Sequence, residues 1–173
     1  MESLQTFADS FPAALQWLAI MLVGAIPFVE GYGGSVLGVA IGVPVPIAIL
    51  AAVVGNVLTV AATVSIASSI RERATARSAA QSEGTADGWT QDPDEARTSG
   101  RGKDRIRRLF DRYGVPGVSL LGQWALPSQI TAPTLVGFGA SRGSVLVWQT
   151  IGIVLWGIVF GALAAAGFSL AMR

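Results

Sequence analysis

Cysteine and histidine are both absent from the 173-residue chain. Their absence excludes disulfides, thiolate nucleophiles, imidazole proton relays and any conventional zinc, haem or iron–sulfur site, so no cofactor or metal is expected. Charge is scarce too. Asp, Glu, Lys and Arg make up 13% of the residues, against about a quarter in a soluble domain. The net charge of +1 offers no electrostatic footprint for nucleic acid. The first ten residues, MESLQTFADS, hold no Lys or Arg, so no secretory signal peptide is expected and the first apolar segment should be retained.

What is present is oil, in two blocks. Hydrophobic residues account for 51% of the chain. Between Phe11 and Ile70 the only Asp, Glu, Lys or Arg is Glu30, and between Gly114 and Met172 it is Arg142. Nearly all other charges cluster between Arg71 and Arg112. A soluble fold would need charged outer faces on its helices, and these blocks supply none. The expectation is an all-α integral membrane protein in a cell membrane, with membrane lipids as its surroundings.

The first block is one apolar run broken twice. Residues 47–70 would extend about 36 Å as a helix, enough to cross a hydrocarbon core of about 30 Å with tilt. Val36 to Val43 is too short to cross and lies between the glycines of EGYGGS and the pair Pro44 and Pro46, which interrupt helical hydrogen bonding. This pattern predicts a re-entrant hairpin over about 11–45, buried in the bundle so that its free backbone groups are covered, followed by a transmembrane helix at 47–70. Phe11 to Phe28 is also long enough to span by itself, about 27 Å, and would then place the amino terminus on the other side.

The second block repeats the plan: a hairpin over 114–141, interrupted by Pro116, Pro127 and Pro133, then a spanning helix at 145–171. Laying Pro27 on Pro127, and then allowing a short gap, brings Gly42 onto Gly139 and Gly55 onto Gly152. Paired broken segments in two halves point to an internal repeat with a binding site at mid-membrane. The middle, 71–103, is Ser-, Thr-, Gly- and Ala-rich with mixed charge and no apolar period, and reads as a disordered loop. In 104–113, Ile106, Leu109, Phe110 and Tyr113 fall at helical spacing among arginines, an interfacial amphipathic helix that either anchors the loop or attracts anionic headgroups. The positive-inside rule puts 71–112 in the cytoplasm. The two halves then enter from opposite faces, as inverted repeats. So small a bundle is expected to form a homodimer.

An ionisable group in apolar sequence normally faces a cavity or pathway, which makes Glu30 the first candidate for function. Burial away from a cation favours the protonated carboxyl, so that a proton could bind and leave in step with a substrate. The alternative is a surface carboxylate capping a half-helix. Asn56, Gln123, Ser128, Gln129, Thr131 and Thr134 offer uncharged donors and acceptors, for substrate or for helix pairing. Arg142 marks the cytoplasmic boundary or holds a phosphate, whose oxygens match its planar fork. EGYGGSVLG is no dinucleotide fingerprint, since no strand precedes it. Its glycines suit close backbone approach, and Gly55, Gly152 and Gly157 suit helix packing.

These residues carry a resemblance. Pro27, Glu30, Gly33, Gly38 and Gly42 in PFVEGYGGSVLGVAIG, followed by Gly55 and Asn56 in VVGNVL, resemble the first-half signature of the small multi-drug export protein family. That family is related to the DedA, or SNARE-associated, membrane protein superfamily, which FDRYGVPGVSLLG, LPSQ and GFGASRGSVLVWQTIGIVLWG resemble in the second half. Relatives commonly have an arginine where this chain has Tyr32, and DedA proteins carry arginines near the second break, where this chain has Gln123 and Gln129. The resemblance implies two facing re-entrant hairpins and transport of lipid carriers or amphipathic cations. Expected site residues are therefore Glu30, Tyr32, Asn56, Gln123, Ser128, Gln129, Thr131 and Arg142, framed by Pro27, Gly33, Gly38, Gly42, Pro127 and Gly139.

The functional expectation is a proton-coupled transporter or flippase for a small amphipathic or lipid-linked substrate, either a drug-like cation or a polyisoprenyl phosphate. The alternative is a non-transporting membrane organiser or assembly factor. An enzyme is not expected, because one buried carboxylate without His or Cys leaves little for acid–base or nucleophilic work.

Overall fold

The structure, a computed structural model, describes residues 2–81, 96–122 and 126–171. Among these the chain is all-helical, without a strand. The elements are α1 (Glu2–Asp9), a 3-10 turn (Ala13–Leu15), α2 (Gln16–Gly24), α3 (Glu30–Ala40), α4 (Val45–Gln81), α5 (Ala96–Leu121), α6 (Ser128–Gly137) and α7 (Arg142–Ala171).

Two helices are long and apolar enough to cross a membrane, Val45–Ala76 and Arg142–Ala171, or three if α1 and α2, bent by 108°, count as one span. Their outward faces carry Leu50, Leu58, Ile66 and Ile70 on α4, and Val147, Ile151, Leu155 and Ile158 on α7, all exposed. Such stripes are a natural surface against lipid, whereas in water they would form an apolar patch of the kind that binds a partner or aggregates. The two helices run antiparallel. Gly157 packs on Val53 and Gly161 on Ile49, while at the other end Arg142 donates to Ser65 Oγ at 2.8 Å.

The helices α2 and α3 form an antiparallel hairpin, since Gly24 meets Gly34 and Ile20 meets Gly38. At 1.5 Å per residue neither leg is half as long as α4, and neither crosses about 30 Å alone. Phe11 to Phe28 is therefore not one straight helix. The hairpin packs on α4 through absent side chains. A Cβ at Gly38 would lie 2.6 Å from Ala48 Cβ, one at Gly34 would lie 2.9 Å from Ala52 Cβ, and one at Gly55 would collide with the Met21 carbonyl.

The second half repeats this order. A shift of 97 residues carries Ala40 onto Gly137, Gly42 onto Gly139 and Val45 onto Arg142. Both short helices end in the same cap. Gly42 (φ 87°) and Gly139 (φ 105°) adopt the left-handed conformation. Val43 N–H bonds Gly38 O at 2.9 Å and Ala140 N–H bonds Leu135 O at 3.1 Å. This is the Schellman arrangement that glycine permits. Pro44 and Pro46 do not interrupt a helix but open α4, where the missing N–H groups cost nothing.

The middle of the chain departs from expectation. α4 continues through Arg71 to Gln81, and α5 starts at Ala96 rather than near 104, so only 82–95 of the expected loop remains outside the described residues. The cause is propensity: RERATARSAAQ consists largely of good helix formers without Gly or Pro. Lack of an apolar period marks an exposed helix as readily as a disordered loop. α5 bends at Gly114 (φ 65°), where the second hairpin was expected to begin. Before the bend, Ile106 is buried and Leu109 and Phe110 pack against the core. Arg107 lies 5.1 Å over the Phe138 ring. Tyr113 is exposed. The apolar face of this helix is thus docked on the bundle.

Candidate functional site

The α2–α3 turn and the start of α6 meet at Glu30. The carboxylate is 1% exposed, and its Oε1 accepts a hydrogen bond from the backbone N–H of Ser128, the first residue of α6. Helix N-termini leave N–H groups without intrahelical partners. Pro127, the residue preceding α6, makes no side-chain cap. An acid 98 residues away performs the capping and complements the positive end of the helix.

Beside this link lies a buried polar group. Asn56 Oδ1 accepts from Gln129 Nε2 at 2.7 Å and from Ser128 Oγ at 3.2 Å. Ser128 Oγ is also 3.4 Å from Gln129 Oε1. Four of the expected residues, Glu30, Asn56, Ser128 and Gln129, are therefore gathered from α3, α4 and α6. Pro133 lacks the N–H that would bond the Gln129 carbonyl within α6.

Backbone strain accompanies the acid. Glu30 has φ 55° and Phe28 has φ 70°, a region that side-chain-bearing residues avoid. Such strain persists where the surroundings over-determine it, often at functional sites.

The other expected residues lie elsewhere. Thr131 is buried but donates to Leu126 O at 3.3 Å, just ahead of α6. Tyr32 faces α7, its ring centroid 5.3 Å from that of Phe160. Arg142 sits at the start of α7 on Ser65, about 13 Å along α4 from Asn56. Gln123 lies outside the described residues. Of the framing residues, Pro27 is in the first turn, Pro127 precedes α6, Gly33 lies against Val29, Gly38 seats α3 on α4, and Gly42 and Gly139 are the caps.

Four buried polar residues were not anticipated: Ser35, Ser68, Ser119 and Gln149. Ser35 bonds back to Gly31 O at 2.7 Å. Gln149 is fully buried and, among the described residues, neither of its amide atoms has a partner, nor do Ser119 Oγ and Glu30 Oε2. Gln149 lies one turn from Ile153, which packs on Gly31 beside Glu30. The signal for it was a lone amide inside an apolar span. No group of His, Cys, Asp and Glu suited to a metal occurs among the described residues. No known protein family, curated protein or solved structure matches the chain.

Proposed function

We propose that the chain is a membrane carrier or flippase, coupled to protons through Glu30, that moves a small amphipathic or lipid-linked substrate. The observation that carries this reading is Glu30 itself: buried where α3 meets the start of α6, one carboxyl oxygen holding the end of α6, the other without a partner among the described residues. A buried acid with an open oxygen is equipped to exchange a proton for a ligand. The amide of Gln149 offers further donors and acceptors nearby.

Inverted repeats of re-entrant hairpins are part of the proposal, as is kinship with the small multi-drug export and DedA proteins. The antiparallel course of α4 and α7 supports it, and so does a cross-contact. Gly31 lies against Ile153, and a shift of 97 residues turns this pair into Ser128 and Asn56, which also touch. Facing half-helices around a mid-membrane site are a recurrent transporter plan. In this reading the end bearing Arg71 and Arg142 is cytoplasmic, the membrane is the cell membrane, and two copies associate. The sole charge in the site is an acid, so a cationic substrate fits it better than a phosphate, which would face Glu30 with no arginine between.

A second reading rests on the same bond. Glu30 fastens the two hairpin turns together, which is what a non-transporting organiser would require. Liposome flux under a proton gradient, for the chain and its Glu30→Gln form, separates the two. Gradient-driven movement of a lipophilic cation, lost in Glu30→Gln, supports the carrier reading. Movement of a polyisoprenyl phosphate instead would keep the carrier and overturn the cation preference. Flux indifferent to Glu30→Gln refutes the coupling, and no flux of either probe by folded protein favours the organiser.

A further inference from the structure

Away from Glu30, at the end where α4 leaves its apolar stretch and α7 begins, lies a pocket of about 280 Å³ lined by Ser68, Arg71, Glu72, Thr75, Ser141 and Arg142 together with the α6–α7 turn. We propose that it binds a phosphate group. The inference does not depend on whether the chain transports.

Two guanidinium groups reach the pocket from different helices, and each is fixed by the protein. Arg71 Nη1 donates to Val136 O at 3.2 Å, and Arg142 Nη2 donates to Ser65 Oγ at 2.8 Å. A guanidinium has five N–H donors in a rigid fork that matches phosphate oxygens, so one anchored N–H orients the others without exhausting them. The 30-residue helix α7 begins at the same place, and although Ser141 Oγ already caps the Ser144 N–H at 3.3 Å, the end of the helix adds partial positive charge. Glu72 is the opposing group, and two arginines against one carboxylate leave the pocket net positive.

Location narrows the source of the phosphate. Arg71 stands about 39 Å along α4 from Val45, just past a hydrocarbon core of about 30 Å, which is the level of lipid phosphates. The pocket is smaller than the roughly 300–1,000 Å³ of drug-sized sites and suits a headgroup rather than a whole lipid. A phosphate monoester headgroup and free inorganic phosphate present the same chemistry to it.

The test is native mass spectrometry of the full chain, released from micelles containing equal phosphatidic acid and phosphatidylcholine, with inorganic phosphate titrated in as a competitor. Phosphatidic acid should be retained preferentially, with retention falling about tenfold in Arg71→Gln and in Arg142→Gln. Retention should rise severalfold in Glu72→Gln, which removes the repelling carboxylate and keeps the test valid if an arginine variant does not fold. Arg73→Gln, exposed on α4 and outside the pocket lining, should change nothing. Displacement by millimolar inorganic phosphate would assign the site to free phosphate, and resistance to it would assign it to the lipid headgroup. Retention that ignores Arg71, Arg142 and Glu72, or that falls equally in Arg73→Gln, overturns the proposal.

Discussion

Replacements of Glu30 separate the acid from the backbone that holds it. At φ 55° a residue with a side chain carries roughly 1–2 kcal/mol of strain, whereas glycine carries none. Within an ordinary helix glycine is about 1 kcal/mol worse than alanine, and at this helical position the order should invert. Glu30→Gln keeps an acceptor for the Ser128 N–H and is expected within about 1 kcal/mol of the unaltered chain. Glu30→Ala leaves that buried N–H unmet, a loss of about 1–3 kcal/mol, and keeps the strain. Glu30→Gly loses the same bond but relieves the backbone, so it should exceed Glu30→Ala by about 1 kcal/mol, roughly fivefold in folded population. The assay is unfolding in mixed micelles of rising SDS fraction, followed by tryptophan fluorescence. Phe28 is an internal control. Its φ is 70° and its side chain is 72% exposed, so Phe28→Gly should stabilise where Phe28→Ala does not. Alanine equal to or better than glycine at Glu30 would refute the strain, and Glu30→Gln as unstable as Glu30→Ala would refute the cap.

Close packing predicts a graded response among glycines. Gly55→Ala meets the Met21 backbone, which cannot rotate away, and should cost about 1–3 kcal/mol; Gly161→Ala meets side chains, Ile49 closely and Ser35 at ordinary contact, and should cost less, as read by the same unfolding assay. Gln149→Leu removes two buried atoms that have no partner among the described residues and should leave stability unchanged or raise it by up to about 1 kcal/mol, while liposome flux falls if the amide contacts substrate. A loss of more than about 1 kcal/mol there would mean that the amide is already paired in the folded protein.

Glycine and proline made the hairpin boundaries legible, because a helix cannot run through Gly42 or Gly139 at positive φ, and Pro44 marks where one begins. Glu30 was legible because a lone charge in an apolar block has few places to go. Its partner was not: caps are ordinarily local, and nothing in the residues around Ser128 announces an acceptor 98 positions earlier. Tyr32 was grouped with the acid by its place in a family pattern and Arg142 by the match of its fork to phosphate, but helix direction carries one to Phe160 and the other to Ser65. The helical course of 71–81 was missed because its signal is backbone propensity, which an apolar-period reading ignores.

The bond between Glu30 and Ser128 has a consequence for biosynthesis. At about 5–20 residues per second the ribosome needs about 5–20 s to add the 98 residues that separate them. Throughout that interval the first hairpin has been made and its carboxylate has no helix end to cap. Holding such a group in hydrocarbon costs several kcal/mol. On the membrane reading proposed above, the nascent hairpin would wait near water, at the headgroups or within the insertion machinery, and reach its final depth only when α6 arrives. Insertion of the first half is completed by the second, and a chain truncated before Ser128 should leave Glu30 accessible to aqueous carboxyl reagents.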